Sequence, residues 1–214
     1  HKMIADIEAN YDKYDAFIIM HGTDTMAYTA SALSFMMENL GKSVILTGSQ
    51  VPFAQEPNDA AHNLLMSLTI AGHFEIPEVC IYFDHKLFRG NRSRKVSALG
   101  FDAFASLNLP ALVKVGTELK VNWNVIRMPP PREEKVIFHK ALSENVGVLK
   151  LFPGISATTI KNFLLPPLEG CVIETYGTGN APSNRPEFLA ALKEAIDRGV
   201  LIVNITQCPK GMVS

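Results

Sequence analysis

Ala16-Phe17-Ile18-Ile19-Met20-His21-Gly22-Thr23-Asp24-Thr25 is the stretch on which the reading of the chain turns. Five apolar residues are too few for a helix, and the glycine and polar cluster that follow mark a buried parallel strand opening into a loop. Met26 to Leu40 is mostly apolar or small and meets no Pro or Gly before Gly41, which predicts a helix closed by a C-terminal glycine. His21 to Thr25 therefore falls at the carboxyl end of a strand. In open α/β sheets that edge binds ligands, because helix N–H groups and loop side chains converge there. A carboxylate beside two hydroxyls at such a corner suits a small polar substrate. Thr23, Asp24 and Thr25 are also good N-cap residues, and simple capping is the competing reading. One cap needs one such residue, not a polar cluster behind a glycine.

The pattern repeats downstream. Ser43 to Leu46 reads as a second strand, with Thr47-Gly48-Ser49-Gln50 at its carboxyl end, so that two polar corners of neighbouring strands face one cleft. Val51 to Pro57 is a Pro-bearing loop, Asn58 or Asp59 can cap a helix from Ala60 to about Ala71, and Glu78 to Phe83 makes a third strand ending at Asp84. Three β-α steps in so short a span predict a right-handed, doubly wound parallel sheet. His85 to Lys95 carries a cluster of Lys and Arg. It reads either as a solvated loop or as a segment that brings a cation over the same cleft.

Phe101 to Leu112 is apolar, with two short helical turns at most. The triple proline Pro129 to Pro131 and the charges of Arg132 to Lys135 then interrupt the rhythm, which reads as a connector between domains. Beyond it the alternation resumes: Val146 to Phe152 as strand, Ile155 to Leu165 as helix, Cys171 to Thr175 as strand, Pro186 to Arg198 as helix and Val200 to Thr206 as strand. Tyr176-Gly177-Thr178-Gly179-Asn180-Ala181-Pro182 invites comparison with a dinucleotide fingerprint. The third glycine is missing, Pro182 stands where a helix should start, and Asn204 replaces the usual acidic residue, so no nicotinamide cofactor is expected. The loop is either a tight turn needing two glycines or a platform offering Asn180 to a ligand.

Composition bounds the remaining options. A chain of 214 residues, 47% hydrophobic and 19% charged, has enough apolar residues for one large or two modest domains. The formal net charge of −1 and the absence of a basic run argue against nucleic acid as partner. No stretch reaches the ~20 apolar residues of a membrane span. Cys80, Cys171 and Cys208 are odd in number, and two of them lie in apolar strand-like runs, which suits reduced thiols in the cytoplasm. Residues 1–9 have no signal-like apolar core. They read as an amphipathic helix already under way, with Met3, Ile4 and Ile7 at helical spacing.

His21-Gly22-Thr23-Asp24-Thr25, Thr47-Gly48-Ser49-Gln50, Phe88 to Lys95 and Gly177 to Pro182 together resemble the bacterial-type L-asparaginases. The likeness is greatest to their type I, cytosolic branch, whose animal members combine asparaginase with lysophospholipase activity. The match runs in order through nearly the whole chain. The resemblance implies hydrolysis of the side-chain amide of L-asparagine through a threonine acyl-enzyme, with no metal or other cofactor. It assigns Thr23, Asp24 and Lys95 to catalysis and Gly22, Thr23, Asp24, Ser49 and Asn180 to substrate binding. Asp24 would pair with the substrate ammonium and hold Lys95, the proton carrier for Thr23. Ser49 would line the pocket of the scissile amide, and Asn180 would reach the active site of a neighbouring subunit in a homodimer or homotetramer.

One part of the family pattern is missing. The family's first catalytic threonine lies on a glycine-rich strand before HGTDT, whereas this sequence starts just before that motif, so a fragment of a longer enzyme is expected. The expected architecture is α/β: a larger doubly wound parallel-sheet domain over 1–128, a linker over 129–145, and a smaller Rossmann-like α/β domain over 146–214. The alternatives are the tRNA-dependent amidotransferase subunit of the same family and an inactive asparagine-binding module.

Overall fold

Val44-Ile45-Leu46 and Val79-Cys80-Ile81 are buried on both faces, which suits strands in the middle of a covered sheet. The computed structural model describes residues 2–131 and 133–214, and the chain divides into two units, 1–141 and 142–214. The first unit contains α1 (Lys2–Asn10), β1 (Ala16–Met20), α2 (Met26–Met36), β2 (Met37–Glu38), β3 (Ser43–Thr47), α3 (Ala60–His73) and β4 (Val79–Phe83). It continues with β5 (Lys86–Arg89), β6 (Arg94–Lys95), β7 (Phe104–Ala105), β8 (Val113–Val115), β9 (Leu119–Val121) and β10 (Ile137–Phe138).

The main sheet has the order β1-β3-β4-β5-β8-β9. Its first three strands are parallel and doubly wound. The period of two along β3 and β4 sends Val44, Leu46, Val79, Ile81 and Phe83 into one core with α1 and α2. Ile45, Cys80 and Tyr82 enter the opposite core with Ile70 of α3. The other three strands are antiparallel, which the expected parallel sheet did not include. The reversal occurs at Asp84-His85, where both residues have positive φ, as a two-residue hairpin of matching twist requires. His85 to Lys95 is accordingly no single loop: it contains β5, a 3-10 turn over Gly90–Arg92, and β6 paired with β7.

Two expected boundaries also move. The helix after Thr25 stops at Met36, short of Leu40, because Met37-Glu38 pairs antiparallel with Ile137-Phe138. That pairing ties part of the 129–145 stretch to the first unit, although it was expected to be a linker. Arg132 lies outside the described residues.

The second unit holds β11 (Val146–Lys150), α4 (Ala157–Phe163), β12 (Gly170–Thr175), α5 (Pro186–Asp197) and β13 (Leu201–Thr206), with parallel order β11-β12-β13. Both crossovers step the same way, so right-handed connections put α4 and α5 on one face. Leu149, Cys171 and Ile173 pack there against Ile160, Phe188, Ala191 and Ala195. The opposite face presents Val146, Val148, Leu201, Val203 and Ile205, all exposed.

Candidate active site

The carboxyl ends of β1 and β3 are fastened together before any side chain is considered. The His21 N–H donates to the Thr47 carbonyl at 2.8 Å. Gly48 packs so close that a Cβ there would meet the His21 carbonyl oxygen at 2.2 Å, a contact no side chain tolerates. Two corners are thereby held edge to edge, with Gly22-Thr23-Asp24 on one and Ser49-Gln50 on the other.

Thr25 occupies the N-cap position of α2 but makes no side-chain capping bond, so capping does not account for the hydroxyl cluster. Thr23 and Asp24 instead meet Lys95. The Lys95 ammonium donates to Thr23 Oγ1 at 2.8 Å and to Asp24 Oδ1 at 2.7 Å. Lys95 reaches them from β6, where its backbone is paired with Phe104. The turn leading to β6 is fixed by Gly90, whose Cβ position lies 2.9 Å from both Ala30 Cβ and the Val79 carbonyl oxygen. The Lys95 side chain is 19% exposed and that of Asp24 91%. The hydrogen bond from Lys95, with its charge, holds the Asp24 carboxyl below the ordinary carboxylate range. A mostly buried cation thus fixes a carboxylate that faces outward, open to a second cation.

Three side chains in this network, Gln50, Asp59 and Asn63, were not among the expected site residues. Thr23 Oγ1 donates to Gln50 Oε1 at 3.1 Å, and Gln50 Nε2 donates to the Gly100 carbonyl at 3.0 Å. Asp59 does not cap α3. Its carboxylate accepts from the backbone N–H groups of Gln50 and Val51 at 3.0–3.1 Å. Asn63, only 1% exposed, donates to the same carboxylate and to the Gly48 carbonyl. No local signal marks Asp59, because the N–H groups it accepts belong to Gln50 and Val51, which precede it by most of the intervening loop. Ser49 is half-buried on the Gly48–Gln50 turn, and Gly22 is exposed.

Asn180 lies in the second unit. Its backbone closes the Tyr176 turn in both directions, at 2.8 and 2.9 Å, while Gly177 and Gly179 supply the positive φ values. The Asn180 residue is exposed. The described residues contain no cluster of His, Cys, Asp and Glu suited to a metal. Among them no helix is long and apolar enough to cross a membrane.

Comparison with known proteins gives this geometry a lineage. The family model "Asparaginase, N-terminal" matches residues 1–127, and "Glutaminase/Asparaginase C-terminal domain" matches 145–214. L-asparaginase 1 of Escherichia coli is 50% identical over 210 residues, 98% of this chain and 61% of that protein. The mouse 60 kDa lysophospholipase is 47% identical over 208 residues, 97% of this chain and 36% of that protein. The crystal structure of L-asparaginase I from Vibrio cholerae superposes with a TM-score of 0.94 at 49% identity, covering all of this chain and 64% of that one. The chain therefore spans less than two thirds of the length of these relatives. Both family models lie in order along it and its fold follows that of a solved relative, so the chain belongs to the asparaginase family.

Proposed function

We propose that the chain forms part of an L-asparaginase that hydrolyses the side-chain amide of L-asparagine to L-aspartate and ammonia. The observation carrying this reading is the Lys95 ammonium within 2.8 Å of Thr23 Oγ1 and 2.7 Å of Asp24 Oδ1. In the reaction the amide C–N bond breaks, water delivers its hydroxyl to the acyl carbon, and the nitrogen leaves with the added proton as ammonia. The resemblance assigns the nucleophile that forms the acyl-enzyme to a threonine earlier in the enzyme than His21. Lys95 exchanges protons with the Thr23 hydroxyl, which a hydroxyl needs in order to serve acyl transfer at neutral pH. Asp24 holds Lys95 and, being exposed, pairs with the substrate ammonium. Ser49, on the adjoining corner, lines the amide pocket.

Asn180 completes the site from a neighbouring subunit of a homodimer or homotetramer. The free thiols of Cys80, Cys171 and Cys208 suit a cytoplasmic enzyme. The test is ammonia release from L-asparagine by the intact enzyme, carrying the segments its relatives possess. Lys95→Met keeps the apolar stem and removes the amine, so turnover should fall at least ~10²-fold, the scale of a lost acid–base group, while the protein still melts cooperatively. Near-normal turnover in that variant would return Lys95 to the role of a surface charge.

A further inference from the structure

We propose that Gln50 is a positioning residue that sets the direction in which Thr23 carries its proton; the inference rests on the asparaginase reading above. The direction follows from what each group can do. The Gly100 carbonyl only accepts, so the Gln50 amide turns Nε2 toward it, at 3.0 Å. This leaves Oε1 facing Thr23 Oγ1 at 3.1 Å. An amide oxygen also only accepts, so Thr23 donates its single proton there. The lone pairs of Thr23 then meet the Lys95 ammonium, which only donates, at 2.8 Å. The chain of donors runs one way, from Lys95 through Thr23 and Gln50 to the Gly100 carbonyl.

Gln50 is itself held from behind. Asp59 takes its backbone N–H, and Asn63 ties Asp59 to the Gly48 carbonyl. The glutamine is therefore a fixed acceptor rather than a surface side chain that happens to point inward. A free hydroxyl rotor samples several wells, and a fixed acceptor selects one of them. With Gln50 present, Thr23 rests with its oxygen lone pairs toward Lys95 and the open side of the corner. Without it, that orientation is left to water. The substrate ammonium is assigned to Asp24, which Gln50 does not touch, so the effect belongs in turnover rather than binding.

The experiment compares variants of the intact enzyme. Gln50→Met keeps the length of the side chain and removes both polar ends. It should lower kcat about 5- to 10-fold, the scale of one neutral hydrogen bond, and change KM for L-asparagine less than about twofold. Thr23→Ser lacks the γ-methyl that restricts a threonine's χ1, so in that background Gln50→Met should cost at least about threefold more than in the wild type. Equal losses in both backgrounds would mean that Gln50 acts on general structure, and would overturn the inference. Should Gln50→Met not melt cooperatively, Gln50→Leu, which also lacks both polar ends, takes its place: its kcat should fall by the same about 5- to 10-fold, and a folded Gln50→Leu enzyme with unchanged kcat overturns the inference. An active wild type with unchanged kcat in Gln50→Met sinks this inference alone, whereas a wild type that releases no ammonia from L-asparagine sinks the asparaginase reading with it.

Discussion

Glu78 and Arg89 pair at the amino end of β4, whereas Asp24 and Lys95 pair beyond the carboxyl edge of the same sheet. In the first pair the carboxylate side chain is 2% exposed, and in the second 91%. The Glu78 oxygens are used up inside the protein: both accept from the Arg89 guanidinium, and Oε1 also takes the Arg127 N–H at 2.7 Å. Arg89 spends a further N–H on the Val125 carbonyl. Asp24 gives one oxygen to Lys95 and shows the rest of its carboxylate to solvent. A buried pair survives only when its hydrogen bonding is complete, whereas an exposed pair adds little to stability. The closed pair is a strut of the fold, and the open one keeps a carboxylate oxygen facing solvent.

The largest expected effect tests the strut. Glu78→Gln leaves Arg89 a buried charge without its counter-ion and should cost about 3–5 kcal/mol in urea unfolding, with the turnover per folded molecule of the intact enzyme retained. A loss under about 1 kcal/mol would erase the distinction between the two pairs. Asp24→Asn should do the reverse: melting stays within a few degrees, while the proposed asparagine turnover of the intact enzyme falls about 10²-fold or more as Lys95 loses its counter-ion. Gly48→Ala lies between the two, because its Cβ is driven into the His21 carbonyl on which both corners depend. It should cost about 1–3 kcal/mol and lower activity as well, and an unperturbed melt would show that the corner yields more easily than the 2.2 Å approach implies.

The smallest effect belongs to a histidine pair in neither class. His62 and His85 have ring centroids 4.4 Å apart, and Tyr82 Oη lies 3.4 Å from His62 Nε2. Burial, with a further contribution from His85, pushes the His62 pKa below its ordinary 6.5, although Asp84 opposes the shift. A depressed histidine favours the fold above pH 6.5, and that contribution is lost as pH falls through the lowered value. His62→Gln should therefore flatten the decline of melting temperature as pH falls below 6.5. An identical decline in the variant would assign acid sensitivity to other groups.

The difference between the pairs also marks what the sequence could reveal. β1, β3 and β4 were legible because they are uninterrupted apolar runs closed by polar corners. β5 was not, since Lys86 and Arg89 flank only two apolar residues and the hairpin turn Asp84-His85 lacks the glycine that usually announces it. The pairing of Met37-Glu38 with Ile137-Phe138 joins residues about a hundred positions apart, beyond the reach of local periodicity. Thr23 and Asp24 stood out as a cluster. Lys95, on a two-residue strand, was singled out only through family resemblance. Gln50 and Asp59 escaped because their importance lies in what they hydrogen-bond across the corner, not in their residue type.

The three-stranded sheet of the second unit has a practical consequence for anyone handling these 214 residues. With α4 and α5 on one side, the other offers Val146, Val148, Leu201, Val203 and Ile205 to water at 39–69% exposure. Such a contiguous oily wall is colloidally adhesive. Sulfate, which strengthens apolar association while screening charges, should raise light scattering from this chain, and Val148→Thr with Leu201→Lys should suppress that rise. Scattering indifferent to both sulfate and the double substitution would mean that the wall is already covered in solution.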